Sequence, residues 1–373
     1  MLGPARPFTS RPIPWVHGMT VGCDFMKSSS RVLAIILNWN GYELTSRCVE
    51  HLRRQTHTPL DLLVIDNGST DGSVEQLTSD GLGSEEILAL PENRGFSGGM
   101  NAGLEVALAK GYDYVWILNN DAFPEPDCLS KLVQVMEENP RDAIISPRLI
   151  EADGRDQEVG WRISWDSMAV EGLFADQVAG LMPENTWITG AALLVRCLSL
   201  REEGLYDDRF FAYWEDVDLC FRYRGAGWGL RVAGAARCVH LGGSSSGGSH
   251  SPFVCYMNTR NRWHFLIKHM PTSWHPWCRC KLASLALFDA AGLHSRGFPE
   301  SGLAVIAAAF AMVRAEVGRP ATLSPSPRVG RFLLKHWWRI SQGLEQIARR
   351  LPSPVGSDVH LMGQPAQSIK SAG

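Results

Sequence analysis

Two short acidic segments could carry catalysis or bind a metal. The first, Asn119-Asn120-Asp121, follows a hydrophobic run and precedes Pro124, so its carboxylate would face a ligand crevice. Hard cations such as Mg²⁺ or Mn²⁺ bind through one or two carboxylates, and substrate phosphates supply further oxygens. The structural alternative is an Asx turn that only ends the strand.

The second acidic segment places Glu215, Asp216 and Asp218 within four positions, flanked by aromatic residues. Adjacent acids on a helix point to different sides, so at most one or two of them can face a site. A desolvated carboxylate can accept the proton of an attacking hydroxyl and so act as a general base. The alternative is a helix start whose acids complement the helix dipole.

His240 is the third candidate. It ends a predicted strand and precedes Gly242 and Gly243. A neutral imidazole is a common ligand of borderline divalent metals, although a single histidine is more often structural. Each of the three signals is weak alone. Together, a carboxylate, a base and a histidine at strand ends or helix starts make up one metal-assisted site.

The first 120 residues alternate between predicted strands and helices. Continuous apolar runs predict buried parallel strands, and amphipathic stretches predict the helices between them. This order predicts a mostly parallel sheet with helices on both faces, whose ligands lie beyond the carboxyl ends of the strands. Polar clusters fall at those ends, at residues 38–40, 66–71 and 119–121.

The second half changes character. Short strands are predicted around 187–196 and 230–232, and the glycine-serine run at 242–249 is predicted to be a mobile loop. We expect a leader over 1–30, a catalytic domain over 31–272 and a helical C-terminal extension with a flexible tail over 273–373. The catalytic domain would divide into a nucleotide half (31–125) and an acceptor half (126–272).

Composition narrows the class of protein. Of 373 residues, 45% are hydrophobic and 20% charged, which is typical of a folded soluble protein. With a net charge of -3, the chain lacks the overall positive charge that is typical of nucleic-acid-binding proteins, and we do not expect nucleic acid as a partner. The nine scattered cysteines are interpreted as reduced thiols of a cytoplasmic protein, with a disulfide framework or zinc site as the alternative.

No apolar run in the sequence reaches the roughly 18 residues that a spanning helix needs, and the best candidate, Gly302 to Val313, is too short. The first 30 residues are rich in Pro, Ser and Arg and have no apolar segment of a secretory signal. We expect them to be a disordered leader, with Met19 or Met26 as alternative starts.

In its polar strand ends, its two acidic segments and His240, the sequence resembles family 2 glycosyltransferases with the GT-A fold. The resemblance is strongest to rhamnosyltransferase-like and galactofuranosyltransferase-like members. The resemblance covers roughly 31–270, and seven segments match in the family's order. These segments are 36–41, 63–72, 92–103, 118–121, 187–192, 211–222 and 256–261.

The resemblance implies a role for each matched residue. Six residues would bind the nucleotide sugar. Asp66 would contact the nucleotide base, and the other five are Asn38, Asn40, Asn93, Asn119 and Asn120. Asp121 would bind the metal and His240 would complete its coordination. Asp216 would be the catalytic base. Orientation of the acceptor or sugar would fall to Trp187, Gly190, Trp214 and Glu215.

Two departures from the family pattern stand out. Asn119 replaces the first acid of the Asp-x-Asp motif, which would hold the metal more loosely. Thr259 stands where polymerising members carry the Gln of Gln-x-x-Arg-Trp, which argues against a synthase that extrudes polymer.

The resemblance implies an inverting glycosyltransferase assisted by Mg²⁺ or Mn²⁺. It would move a sugar, such as rhamnose or another hexose, from a UDP- or dTDP-linked donor to a glycan or lipid-linked acceptor. A catalytically silent nucleotide-sugar binder is the alternative. A nicotinamide-dependent enzyme is disfavoured because Gly95, Gly98, Gly99 and Gly103 do not follow the first strand.

A basic stretch near the C-terminus suggests contact with a membrane. Six Lys or Arg residues stand against one acid between Arg328 and Arg350, with Trp337 and Trp338 among them. At helical spacing Leu334 and Trp338 share an apolar side, which with basic neighbours suits anionic lipid at the inner face of the plasma membrane. The alternative is a helix that packs its Trp face on the catalytic domain and leaves its basic side solvated.

Overall fold

The computed structural model describes residues 30–178, 180–242, 248–320, 322–325 and 327–353. The leader expected at 1–30, apart from Ser30, and most of the glycine-serine run lie outside these residues. Each of the eight cysteines within the described ranges is a free thiol, as predicted.

Twelve strands and eleven α-helices form within these residues. The strands are β1 Val32–Asn38, β2 Leu60–Asp66, β3 Ile87–Ala89, β4 Tyr114–Asn119, β5 Ala122–Pro124, β6 Asp142–Ile150, β7 Glu158–Ile163, β8 Val170–Phe174, β9 Gly180–Leu181, β10 Thr186–Ile188, β11 Ala192–Arg196 and β12 Gly229–His240. The helices are α1 Tyr42–Arg53, α2 Ser73–Ser79, α3 Gly95–Lys110, α4 Cys128–Glu138, α5 Ala175–Val178, α6 Cys197–Glu203, α7 Glu215–Gly225, α8 Pro252–His269, α9 His275–Ser295, α10 Pro299–Val313 and α11 Pro327–Ala348.

The main sheet has the order β3-β2-β1-β4-β11-β6-β12-β5, with β9 paired to β12. The first four strands are parallel, whereas β11 runs antiparallel to both of its neighbours. A smaller antiparallel sheet joins β10, β7 and β8. The predicted mostly parallel sheet flanked by helices is therefore confirmed.

The register of the central strands brings their polar ends together. Asn38, the last residue of β1, lies beside Asp66, the last residue of β2. On the other side of β1, Leu37 pairs with Asn119 at the end of β4. The strand ends therefore form one edge, as the apolar runs predicted.

Glycines let α3 lie close to the strands it covers. A Cβ at Gly103 would stand 2.9 Å from Ile35 Cγ2, and one at Gly99 would stand 2.6 Å from Leu37 Cδ1. Both distances are shorter than carbon–carbon contacts in packed interiors. The glycine-rich segment thus serves close packing of a helix that follows β3, not β1.

β12 is longer than its predicted core of 230–232 and delivers His240 to the same edge. It runs parallel to β6 and antiparallel to β5, which places His240 beside Ala122 and Val239 beside Ile150. Since β5 begins directly after Asp121, the pairing of these strands fixes Asp121 next to His240.

The C-terminal region is helical, as predicted. α10 packs on α8 and α9, and α11 packs on α9. Among the described residues, no helix combines the length and apolar character needed to cross a membrane. The domain limits at 125 and 272 stay predictions.

Candidate active site

A buried hydrogen-bond chain links the ends of β1, β2 and β4. Asn38 Nδ2 donates to Asp66 Oδ1 at 2.8 Å, and Thr45 Oγ1 donates to Asn38 Oδ1 at 2.7 Å. Asn120 Nδ2 reaches Thr45 Oγ1 at 3.3 Å. Asn38, Asp66 and Asn120 are each at most 5% exposed. Thr45, on α1, was not predicted because the sequence gives no sign of its partners.

The turns after β1 and β2 hold one another. Ser69 N donates to Asp66 Oδ2 at 3.0 Å, and Asn40 N donates to Ser69 Oγ at 2.9 Å. Asn40 Oδ1 accepts from Thr70 N at 2.8 Å. Asn40 has a φ of 49°, a left-handed conformation that asparagine tolerates. Its side chain therefore links the turn after β1 to the turn after β2.

Asn93 organises the start of α3. Its Oδ1 accepts from Gly95 N at 2.8 Å and from Asn67 Nδ2 at 3.2 Å. Asn67 also donates to Gly95 O and accepts from Arg94 N. The predicted nucleotide-side residues Asn38, Asn40, Asp66, Asn93 and Asn120 are thus joined through neighbouring turns.

The start of α3 touches the loop that leads into α7. Ser97 N donates to Phe211 O at 3.2 Å. A Cβ at Gly95 would stand 2.4 Å from the same oxygen, and Gly95 has a φ of 75°. Glycine is required at this position both for backbone conformation and for space.

Gly95→Ala is expected to lower the melting temperature more than Gly111→Ala. Both glycines are left-handed, Gly95 as the first residue of α3 and Gly111 directly after its last, but a Cβ at Gly111 meets nothing within 4 Å. Gly111→Ala therefore carries only the conformational cost of about 1–2 kcal/mol. The additional decrease in melting temperature in Gly95→Ala then measures the cost of displacing Phe211. Thermal unfolding followed by circular dichroism checks this. Equal shifts would contradict the contact.

Asp121 and His240 form a pair that fits a divalent metal. His240 Nε2 lies 3.4 Å from Asp121 Oδ1 and 3.4 Å from Asn119 Nδ2. The side chains of both Asp121 and His240 are about 90% buried or more. A carboxylate and an imidazole suit Mn²⁺ or Mg²⁺. Among the residues that the structure describes, no group of three or more His, Cys, Asp or Glu could hold a metal.

Two backbone N–H groups hold the carboxylate of Asp216 near the start of β11. Gly190 N donates to its Oδ2 at 3.1 Å, and Val217 N donates to its Oδ1 at 2.8 Å. A Cβ at Gly190 would stand 3.3 Å from Asp216 Cβ, so glycine permits this approach. Asp216 is half-buried and opens α7, as predicted.

The two adjacent acids have different environments. Burial raises the pKa of Asp216 to about 6, and its backbone donors limit that rise. Burial, together with the charge of Asp216, raises the pKa of Glu215 well above its usual range. Glu215 Oε2 has no hydrogen-bond partner within the described part of the chain. Asp216 can therefore exchange a proton near neutral pH, while the environment of Glu215 favours its protonated form.

The predicted orienting tryptophans are buried and pack together. The Trp187 and Trp214 rings lie 5.8 Å apart, and Trp214 Nε1 donates to Asn258 Oδ1 at 3.2 Å. Trp214 has a φ of 72° and immediately precedes Glu215. Trp214 therefore packs on Trp187 at the position directly before the two acids.

α8 holds the loop before α7, through residues to which the sequence assigned no role. The Asn261 amide nitrogen lies 2.7–2.8 Å from the carbonyl oxygens of Phe210, Ala212 and Tyr213. Phe211, Tyr213 and Trp214 are all left-handed. A buried amide on the loop carbonyls offsets the cost of such a backbone. The matched segment 256–261 thus fixes the approach to Asp216.

Two consecutive residues, Gly190 and Ala191, connect Asp216 to the end of β4, where Asp121 and His240 lie. Asn119 N donates to Ala191 O at 2.9 Å, and Gly190 donates to Asp216. The nucleotide-side network reaches the same point because Asn120 directly follows Asn119. The predicted donor, metal and base groups therefore lie along one edge of the sheet.

This mostly parallel sheet, with its polar turns, an acid-histidine pair and Asp216 along one edge, has the GT-A fold of glycosyltransferases. The structure resembles that of GalNAc-T7 with UDP, GalNAc and Mn²⁺, with a TM-score of 0.52 and 14% identity over 88% of this chain and 59% of that chain. Residues 34–175 match the model of glycosyl transferase family 2. This match supports the resemblance to family 2 glycosyltransferases that the motifs indicated.

Two relatives from Mycobacterium tuberculosis align with this chain over more residues than the family model does. The N-acetylglucosaminyl-diphospho-decaprenol L-rhamnosyltransferase of Mycobacterium tuberculosis is 28% identical over 224 residues, which cover 54% of this chain and 73% of that protein. Galactofuranosyltransferase GlfT1 of the same species is 25% identical over 228 residues, which cover 60% of this chain and 73% of that protein. Both kinds of relative were expected from the motifs.

Proposed function

We propose that this chain is an inverting hexosyltransferase. It transfers a sugar, rhamnose or another hexose, from a UDP- or dTDP-linked donor to a hydroxyl of a glycan or lipid-linked precursor of the cell surface. The mycobacterial relatives support that acceptor class, since one is named for a diphospho-decaprenol acceptor. The proposal includes Asp121 and His240 as ligands of Mg²⁺ or Mn²⁺.

One observation carries the proposal: the position of Asp216. Its carboxylate is fixed by Gly190 and Val217, has a pKa near 6 and adjoins the strand end with Asp121. A general base works best when its pKa lies near the operating pH. A protein that only bound nucleotide sugars would have no use for such a group.

The chain's own residues then act as follows. The turns around Asp66 and Asn40 hold the nucleoside, and Asp216 takes the proton of the acceptor hydroxyl. The acceptor oxygen forms a bond to the anomeric carbon as the bond to the diphosphate oxygen breaks on the opposite face, which inverts that centre. The electron pair leaves with the diphosphate, and a divalent metal held by Asp121 and His240 would stabilise the charge that develops there.

A donor screen tests this function. The protein is incubated with UDP- and dTDP-linked sugars, Mn²⁺ and lipid-linked or glycan acceptors, and nucleoside diphosphate release is measured. Release with a product of inverted anomeric configuration, read by proton NMR, supports the proposal. Tight nucleotide-sugar binding without release across the panel would favour the silent binder.

We further propose that α11 contacts anionic membrane. Its solvent-facing side carries Phe332 and Trp338, each 59% exposed, together with exposed Lys335 and Arg339. Trp337 instead packs at 5.9 Å from Phe288, so one tryptophan faces the protein and the other faces solvent. Apolar rings among basic residues suit an interfacial helix, and each basic residue adds about 1 kcal/mol near an anionic surface.

Replacing Phe332 and Trp338 by Ser is expected to abolish flotation with phosphatidylglycerol vesicles at low salt. The matched control replaces Leu181 and Leu198, which are 62% and 49% exposed, by Ser elsewhere on the surface. Control protein should float as wild type does. Wild-type protein that stays unbound, or a double variant that still floats, would refute the membrane contact.

A further inference from the structure

The hairpin that follows β6 carries two polar side chains to His240. β6 ends at Ile150, which lies beside Val239 in the parallel ladder with β12. Glu151 and His240 are thus next to each other across the ladder. The chain then turns back, and Gln157 rejoins β6 through a backbone hydrogen bond of 3.0 Å. Strand pairing alone therefore brings Glu151, Gln157 and His240 together.

The amide of Gln157 has one orientation that suits its neighbours. Its Nε2 lies 3.2 Å from Glu151 Oε1 and 3.4 Å from the main-chain oxygen of His240. An ionised carboxylate and a carbonyl can only accept hydrogen bonds, so both require the donor end of the amide. The acceptor end, Oε1, is left to face the imidazole, and it lies 2.8 Å from His240 Nδ1.

This orientation determines which ring nitrogen carries the proton. An oxygen acceptor at 2.8 Å calls for a proton on Nδ1. A neutral imidazole has one ring proton, so Nε2 then presents a lone pair. Nε2 is also the nitrogen nearest to Asp121 Oδ1, at 3.4 Å, and the Asn119 amide nitrogen at 3.4 Å can donate to it.

We propose that Glu151 and Gln157 are positioning residues that hold His240 in the Nδ1–H tautomer. Nε2 is thereby the atom offered, with Asp121, to the divalent metal. The role of that atom as a ligand rests on the proposed function, whereas the tautomer does not. The partner of the second nitrogen of a ligating histidine typically contributes 10–100-fold to metal affinity.

The tautomer is measured on the metal-free full chain by ¹⁵N NMR with labelled histidine. The chain has 11 histidines, and His240→Ala identifies the signals of His240. At a pH where histidine is neutral, we expect Nδ1 to be protonated and Nε2 unprotonated in wild type. A protonated Nε2, whether as the other tautomer or as imidazolium paired with Asp121, would overturn the proposal.

A reciprocal exchange tests the two supporting residues. Glu151→Gln removes the group that orients Gln157, so we expect mixed tautomers and an affinity for Mn²⁺ weakened about tenfold or more. Combining it with Gln157→Glu puts a carboxylate at 157 to accept from Nδ1–H and an amide at 151 to donate to that carboxylate. The double variant should regain the Nδ1–H tautomer and most of the affinity, which a general loss of packing would not allow.

Mn²⁺ affinity is measured by electron paramagnetic resonance of the free ion, without substrate or turnover. Gln134→Leu is the matched control, because that exposed glutamine on α4 bonds only Glu138 among the contacts found for its side chain. Wild-type affinity in both Glu151→Gln and Gln157→Leu would overturn the positioning role. Failure of wild type to bind Mn²⁺ would overturn the ligand role and the metal part of the proposed function, while the tautomer is decided by NMR alone.

Discussion

Asp216→Asn is expected to lose transfer by about 10²- to 10⁴-fold while keeping its affinity for the nucleotide sugar, as loss of a general base implies. Asparagine keeps the size of the side chain, and its oxygen can still accept from Gly190 N or Val217 N. It cannot take the acceptor proton. Single-turnover transfer and calorimetric donor binding separate the two effects.

Glu215→Gln provides the matched control for that experiment. Burial and the charge of Asp216 raise the pKa of Glu215 and so favour its neutral form, and a neutral amide of similar shape should therefore cost much less activity than Asp216→Asn does. Near-wild-type turnover in Asp216→Asn together with loss in Glu215→Gln would transfer the role of base to Glu215.

The same assignment predicts the direction of the pH dependence. The base acts when deprotonated, and the pKa of Asp216 is raised to about 6. The kcat/KM of wild type should therefore be constant above that pH and fall as pH decreases through about 6. The residual activity of Asp216→Asn should lack this step.

Chelation is expected to abolish transfer by wild type, and added Mn²⁺ or Mg²⁺ should restore it. Asp121→Ala should weaken metal-dependent donor binding and reduce transfer by orders of magnitude, because it removes the carboxylate paired with His240. The control is Asp127→Ala, which removes an exposed carboxylate that pairs with Lys131 on α4. Donor binding with and without chelator, measured by calorimetry, checks this.

Two outcomes would contradict the metal site. Full activity of wild type in excess chelator would exclude a need for the metal. Equal behaviour of Asp121→Ala and Asp127→Ala would show that the acid at the strand end has no special part in donor binding.

The sequence predicted those features of the site that depend on local pattern. Apolar runs that end in Asn38, Asp66 and Asn119 mark strand ends, and parallel strands bring such ends to one edge. His240 was predicted at the end of a strand for the same reason, and the structure agrees.

The rest depends on contacts between distant segments. Gln157 meets His240 across 83 positions, and Asn261 meets the loop before α7 across 48 to 51. No periodicity or spacing in the sequence predicts either of these contacts. The left-handed backbone at Phe211, Tyr213 and Trp214 was equally hidden, because aromatic residues seldom adopt it.

The carbonyl of Phe211 has a consequence for cooperativity. It accepts from Ser97 on α3 and belongs to the loop that delivers α7 with Asp216. A ligand that shifts the start of α3 is therefore expected to shift Asp216, the proposed base, as well. By thermodynamic reciprocity, any factor by which the donor strengthens acceptor binding must equal the factor by which the acceptor strengthens donor binding. A side chain at Gly95 would displace that carbonyl and is therefore expected to change the coupling in both directions by the same factor.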